Sequence, residues 1–161
     1  MQLIPFLQKG FVLSSSRVTK LASLINQEEA FFRPYDKVNH FTWELGHLTF
    51  VRNTIIKLLN PSEQLSTFHN ERITFAPGTA LLENEMYPPL DSLVATFQQR
   101  GERIIALLEE VNQERWDIES PYKLPAGNTV GDQVSFFLLH ENTHYGEMSY
   151  LKNIIVRLRT E

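Results

Sequence analysis

Four stretches of about 20–30 residues, in each of which apolar side chains recur every three or four positions, constrain this chain more than any other feature. The prolines mark the gaps between them, at Pro34, Pro61, Pro77, Pro88-Pro89, Pro121 and Pro125. Alternating strand-like runs joined by Asn-Gly or Asp-Gly turns are missing, so the pattern is helical throughout. The first segment runs from Phe11 to Glu29 with Val18, Leu21 and Ile25 on its stripe. The second starts at Asn39, an N-cap residue type, and is stopped by Asn60-Pro61; its stripe is Phe41, Glu44, Leu48, Val51, Ile55 and Leu58. The third, from Pro89 to Val111, carries Leu90, Val94, Phe97, Gly101, Ile104, Leu108 and Val111. The fourth opens on Thr129-Val-Gly-Asp132, a capping-box pattern, and runs to Leu158 through Val130, Val134, Phe137, Glu141, His144, Met148, Leu151 and Ile155. Four such helices bury their stripes against one another, which predicts an all-α four-helix bundle forming one domain over residues 1–161. The connection from Asn60 to Pro88 is nearly as long as a helix, so a crossover packed over one end by Phe68, Phe75 and Tyr87 is expected.

Charge and cysteine content then remove whole classes of function. Lys plus Arg is 15 against 19 Asp plus Glu, a formal net charge of −4, whereas a nucleic-acid binder shows a basic excess. With no cysteine there is no disulfide, no thiolate metal site and no cysteine nucleophile. No apolar run approaches the ~20 residues of a membrane span. The opening Met1-Gln-Leu-Ile-Pro-Phe lacks a basic start and holds Pro5 in its apolar part, so no secretory leader is expected and a cytoplasmic location is.

The polar exceptions to the apolar stripes fall in the second and fourth segments. His140 and His144 stand at i and i+4, about 40° apart around a helix, on the face that carries Phe137, Met148 and Leu151. His47 flanks the second segment's stripe and Glu44 sits inside it, one turn earlier. A buried imidazole or carboxylate is costly without a partner, and two explanations stand. Either the histidines are hydrogen-bonded core residues, or two from one helix and a third from its neighbour bind a metal that keeps open positions. His40 reads as a helix-end histidine, and His69, in the long connection, has no evident role.

Two other metal chemistries match in part. Glu44-Leu-Gly-His47 and Glu141-Asn-Thr-His144 are both E-x-x-H, the pattern of ferritin-like di-iron bundles, yet the first and third segments lack glutamates at the matching level. His140-Glu-Asn-Thr-His144 also fits the H-E-x-x-H of zinc peptidases, with Glu141 as base. No histidine follows it, which leaves Glu147 or Glu161 as third ligand, and Glu147 is awkwardly close on the same helix. Motifs for a hydrolase elbow or a nucleotide cradle are absent.

Trp43-Glu-Leu-Gly-His47-Leu, paired with a late His140-Glu-Asn-Thr-His144-Tyr-Gly-Glu147 and the Phe75-Ala-Pro-Gly78 loop, resembles the DinB/YfiT-like superfamily over essentially the whole chain. The resemblance implies a four-helix bundle of unusual helix order. It also implies one divalent metal ion (zinc, nickel, iron or manganese) held by three histidines, which fall here on His47, His140 and His144. It implies a homodimer and a metal-dependent enzyme acting on small molecules: a transferase using a low-molecular-weight thiol, or a hydrolase. A non-catalytic bundle pinned by its metal is the alternative. Any thiol must come from a cosubstrate, since the chain has none. Glu44 and Glu141 are the candidates to orient a ligating imidazole or carry a proton. Trp43 and Tyr145 are candidate pocket walls, and Phe31-Phe32 and Phe136 are candidate dimer contacts.

Overall fold

The computed structural model describes residues 3–124 and 127–160. Its first helix, α1, spans Leu3–Ala22, so it begins well before Phe11 and ends before Glu29. Pro5 lies in the first turn, where no backbone amide has an intrahelical partner, and so does not delay the helix. Beyond α1 the chain turns into a short 3-10 helix, Glu29–Phe31. Reciprocal bonds hold its start, from Asn26 N to Glu29 Oε2 (2.8 Å) and from Glu29 N to Asn26 Oδ1 (2.9 Å).

Helix α2 covers Phe41–Leu59, and its N-cap is His40 rather than Asn39. The imidazole Nδ1 accepts the Trp43 amide at 3.0 Å, the role that a serine or aspartate oxygen commonly fills. The crossover then forms a short α3 (Glu71–Phe75) and a 3-10 turn (Asn84–Met86) before α4, Leu90–Glu110. It is tied down by Arg100 of α4, which pairs with Glu71 and donates to Thr49 O (2.7 Å) and Ser66 O (2.6 Å). A short helix α5, Gln113–Asp117, leads to the last helix, α6, Val130–Leu158. The Thr129/Asp132 capping box forms as the sequence predicts, with both bonds at 3.1 Å.

One element contradicts the purely helical reading. Glu119–Leu124 (β1) and Gly127–Thr129 (β2) pair as an irregular antiparallel ribbon. Nothing in its local sequence alternates. Buried Gln133 of α6 holds it instead, accepting from Ser120 Oγ at 2.6 Å and donating to Tyr122 O at 2.5 Å.

The four long helices form an all-α bundle in which α1 packs against α4 and α6, and α2 packs against the same two. Consecutive helices α1 and α2 therefore face each other across the diagonal, while α2 and α4 lie side by side and run parallel, so the chain between them has to return along the bundle through the long crossover. The apolar core is split in two. One cluster gathers Leu7, Phe11, Ile55, Ile104 and Val134; the other gathers Val18, Leu48, Phe97, Met148 and Leu151. Between them, on all four helices, lie Ser14 and Ser15, Arg52, Gly101 and Glu141. Among the described residues no helix is long and apolar enough to cross a membrane.

Candidate metal centre

The contact of α2 with α6 carries His47 to the pair on α6. His47 Nε2 and His140 Nε2 stand 3.0 Å apart. The His144 ring centroid lies 4.8 Å from that of His47 and 4.4 Å from that of His140. One ring nitrogen from each of the three lies within 4.8 Å of the other two.

The remaining ring nitrogens decide which lone pairs face inward. His47 Nδ1–H donates to the Phe75 carbonyl at 2.8 Å, which leaves Nε2 as the acceptor nitrogen. His144 Nδ1 is bonded to Glu44 and lies 3.0 Å from Glu147 Oε2, so its Nε2 is likewise free. Trp43 stacks on His47 at 5.0 Å with the planes 5° apart, and its indole N–H donates to Thr79 Oγ1 at 3.3 Å. Phe136 stacks on His140 at 6.2 Å. These outer contacts are what fix ligating imidazoles in other metal sites.

Electrostatics favour neutral rings on two of the three. Burial, followed by the neighbouring histidines, lowers the His140 pKa to about 4; burial also lowers that of His47. Burial pushes His144 down as well, but the Glu44 hydrogen bond and the charges of Glu44 and Glu147 outweigh it and leave it raised. Burial likewise raises Glu44, and its bond to His144 reverses the sign, so the carboxylate is held below its ordinary range. Burial and the Glu44 charge raise Glu147.

The donor set fits a metal ion. Two imidazole nitrogens bound to one cation at ~2.0–2.1 Å lie about 3 Å apart when they subtend a right angle, as the two facing nitrogens do. Without a cation, that contact needs the His140 Nε2 proton between them. Two carboxylates, Glu44 and Glu147, beside His144 also supply charge that offsets a divalent ion.

Of the sequence-predicted residues, His47, His140, His144 and Glu44 come together, and Glu147 joins them. Glu44 serves the histidine of the other helix rather than His47 of its own. Glu141 does not join the site. It is fully buried, with both oxygens on Arg52 (2.8 and 2.9 Å) and one also accepting from Ser14 Oγ. The second E-x-x-H therefore offers no carboxylate to a second metal, and H-E-x-x-H offers no base. Tyr145 lies against Arg17 of α1, not at the histidines. Phe31 packs with His40 and Tyr87 and stays half-buried. His69 is exposed in the crossover. Arg52 and the Phe75 carbonyl escaped the sequence reading. A backbone carbonyl leaves no signature, but a stripe glutamate opposite a stripe glycine, Gly101, was a sign that a cation had to fill the gap.

A recess of about 260 Å³, lined by Tyr35, Lys37, Asn39, Glu44, Glu147 and Tyr150 among others, reaches the carboxylates on the Nδ1 side of His144 but is lined by none of the three histidines. The wider grooves between α1 and α4 and beneath the crossover contain none of the three histidines.

An all-α bundle with three imidazoles converging between two helices, each backed by a carbonyl, a carboxylate or an aromatic ring, defines a helical protein with a metal-suited centre. The chain belongs to the DinB superfamily, whose sequence model matches residues 11–148. No curated protein matches it.

Proposed function

We propose that His47, His140 and His144 hold one divalent metal ion and that the protein is a metal-dependent enzyme acting on small molecules. The observation that carries this reading is the 3.0 Å approach of two imidazole nitrogens whose ring orientation is set from behind. Such an ion supplies Lewis acidity and lowers the pKa of a ligated water or thiol.

The chain's own groups do the rest. The Phe75 carbonyl and Glu44 keep the His47 and His144 lone pairs aimed inward. Trp43 shields one face of His47 from water. Glu147, half exposed at 54% and raised in pKa, is the group placed to exchange a proton with solvent. Since the chain has no cysteine, a thiol-transfer reaction would draw its nucleophile from a low-molecular-weight thiol.

Elemental analysis of protein purified without a metal-affinity resin tests the centre. Close to one equivalent of metal, lost in His47→Ala and in His144→Ala, is expected; two equivalents, or none, would refute it. Assays of thiol transfer to electrophiles and of amide and ester hydrolysis then test the enzyme. Inactivity of the metal-loaded protein in all of them would favour a metal that only pins α2 to α6.

A further inference from the structure

The pair formed by Arg52 and Glu141 is fully buried, touches no recess at the histidines and has no part in the chemistry above. We propose that it is a positioning device: it sets the rotation and axial placement of α6 against α2, and so decides whether His140 and His144 meet His47. The inference rests on the metal-centre reading.

Stability is a poor explanation for this pair. Moving both charges out of water costs several kcal/mol per ion, and apolar residues of the same volume commonly do as well or better. Directionality is what apolar residues lack. Hydrophobic contact between two helices is proportional to area and tolerates small rotations. A guanidinium and a carboxylate joined by two parallel hydrogen bonds, here 2.8 and 2.9 Å, tolerate neither slide nor rotation.

The remaining donors extend the constraint to the other two helices. Arg52 Nη1 donates to Ser15 Oγ of α1 at 2.9 Å and to Phe97 O of α4, and its guanidinium carbon lies 3.3 Å from the Phe97 ring centroid. Ser14 of α1 donates to Glu141. Gly101 of α4 leaves the room this needs, because a Cβ there would meet Arg52 Nη1 and Ser15 Oγ. Every bundle helix is thus bonded or fitted to one polar layer between two apolar clusters.

The histidines flank that layer. His140 immediately precedes Glu141, and His144 follows it by three residues. A turn of α6 by about 20° would carry a ring nitrogen ~2 Å sideways, since it lies about 6 Å from the helix axis. Metal bonds tolerate roughly ±0.2 Å. The clusters above and below permit that turn, and the forked pair does not.

Cobalt(II) titration followed by d–d absorption, with helical circular dichroism recorded in parallel, tests this. Arg52→Met/Glu141→Leu removes both charges without stranding either and is expected to keep its helix content. Its cobalt affinity is expected to fall at least tenfold, and the d–d band shape to change. Ile104→Ala, a core truncation away from the histidines, lowers stability but is expected to retain wild-type affinity. If the double variant does not fold, Arg52→Lys, which keeps the charge and loses the fork, should bind cobalt more weakly. Undiminished affinity in the folded charge variant, or an equal loss in Ile104→Ala, overturns the proposal. Failure of the wild-type protein to bind cobalt overturns the metal reading and this inference with it.

Discussion

Gly46 precedes the first of the three histidines, and its replacement by alanine sets two effects of opposite sign against each other. In an ordinary helix interior the change adds about 1 kcal/mol of stability through backbone entropy. At Gly46, however, a Cβ would fall inside the ring of Phe75, which is 1% exposed and cannot swing away. Overpacking of that kind costs about 1–3 kcal/mol. The net expectation is a loss of about 0–2 kcal/mol, or a fall in Tm of up to ~8 °C for a chain of this size. The larger effect is on the centre. Displacing Phe75 withdraws the carbonyl that holds His47 Nδ1, and losing such a partner typically weakens metal binding about 10–100-fold. Gly146 provides the control: it lies in exposed helix, nothing stands within 4 Å of its missing Cβ, and Gly146→Ala should raise Tm by ~2–4 °C. Thermal unfolding of both metal-free variants and cobalt titration of both decide the matter. If Gly46→Ala is stabilised like Gly146→Ala and binds cobalt as the wild type does, the link from glycine through Phe75 to His47 is wrong.

Acid should unfold the metal-free protein partly through His40, whose pKa burial lowers from 6.5 to about 4. A depressed histidine contributes stability that is complete above pH 6.5 and gone by about pH 4, here about 3 kcal/mol. His40→Asn keeps a capping side chain, so a flatter stability profile between those limits is expected, and an unchanged profile would refute the assignment. Metal affinity should fall with acid in a set order. His144, raised by Glu44 and Glu147, protonates first as pH drops, so cobalt binding should weaken from a pH above the ordinary histidine range. In Glu44→Gln that onset moves to lower pH; calorimetric titration across pH would register an onset that stays put as failure. Metal at about 100 times its Kd adds ~2.7 kcal/mol and should raise Tm by roughly 5–11 °C, reversibly with a chelator. A Tm unmoved by either addition would count against a native-state site.

Much of the architecture was legible because helices are written in short-range terms. Residues three and four apart share a face whatever lies beyond, so the stripes, the Thr129/Asp132 cap and the one-turn separation of His140 from His144 could all be read directly. The same logic placed Glu44, His47 and Glu141 on or beside inward faces. Spacing within a helix says nothing about the neighbour opposite. That Glu44 crosses to His144, that Glu141 is taken by Arg52 and that Phe75 supplies the carbonyl behind His47 follow from the register between helices distant in sequence. The ribbon at Glu119–Thr129 has the same origin, since Gln133 rather than any local alternation holds it. The amino-acid order by itself determined which residues turn inward; the packed bundle decided which of them meet, because partner choice depends on angstrom-scale placement of whole helices that no local period encodes.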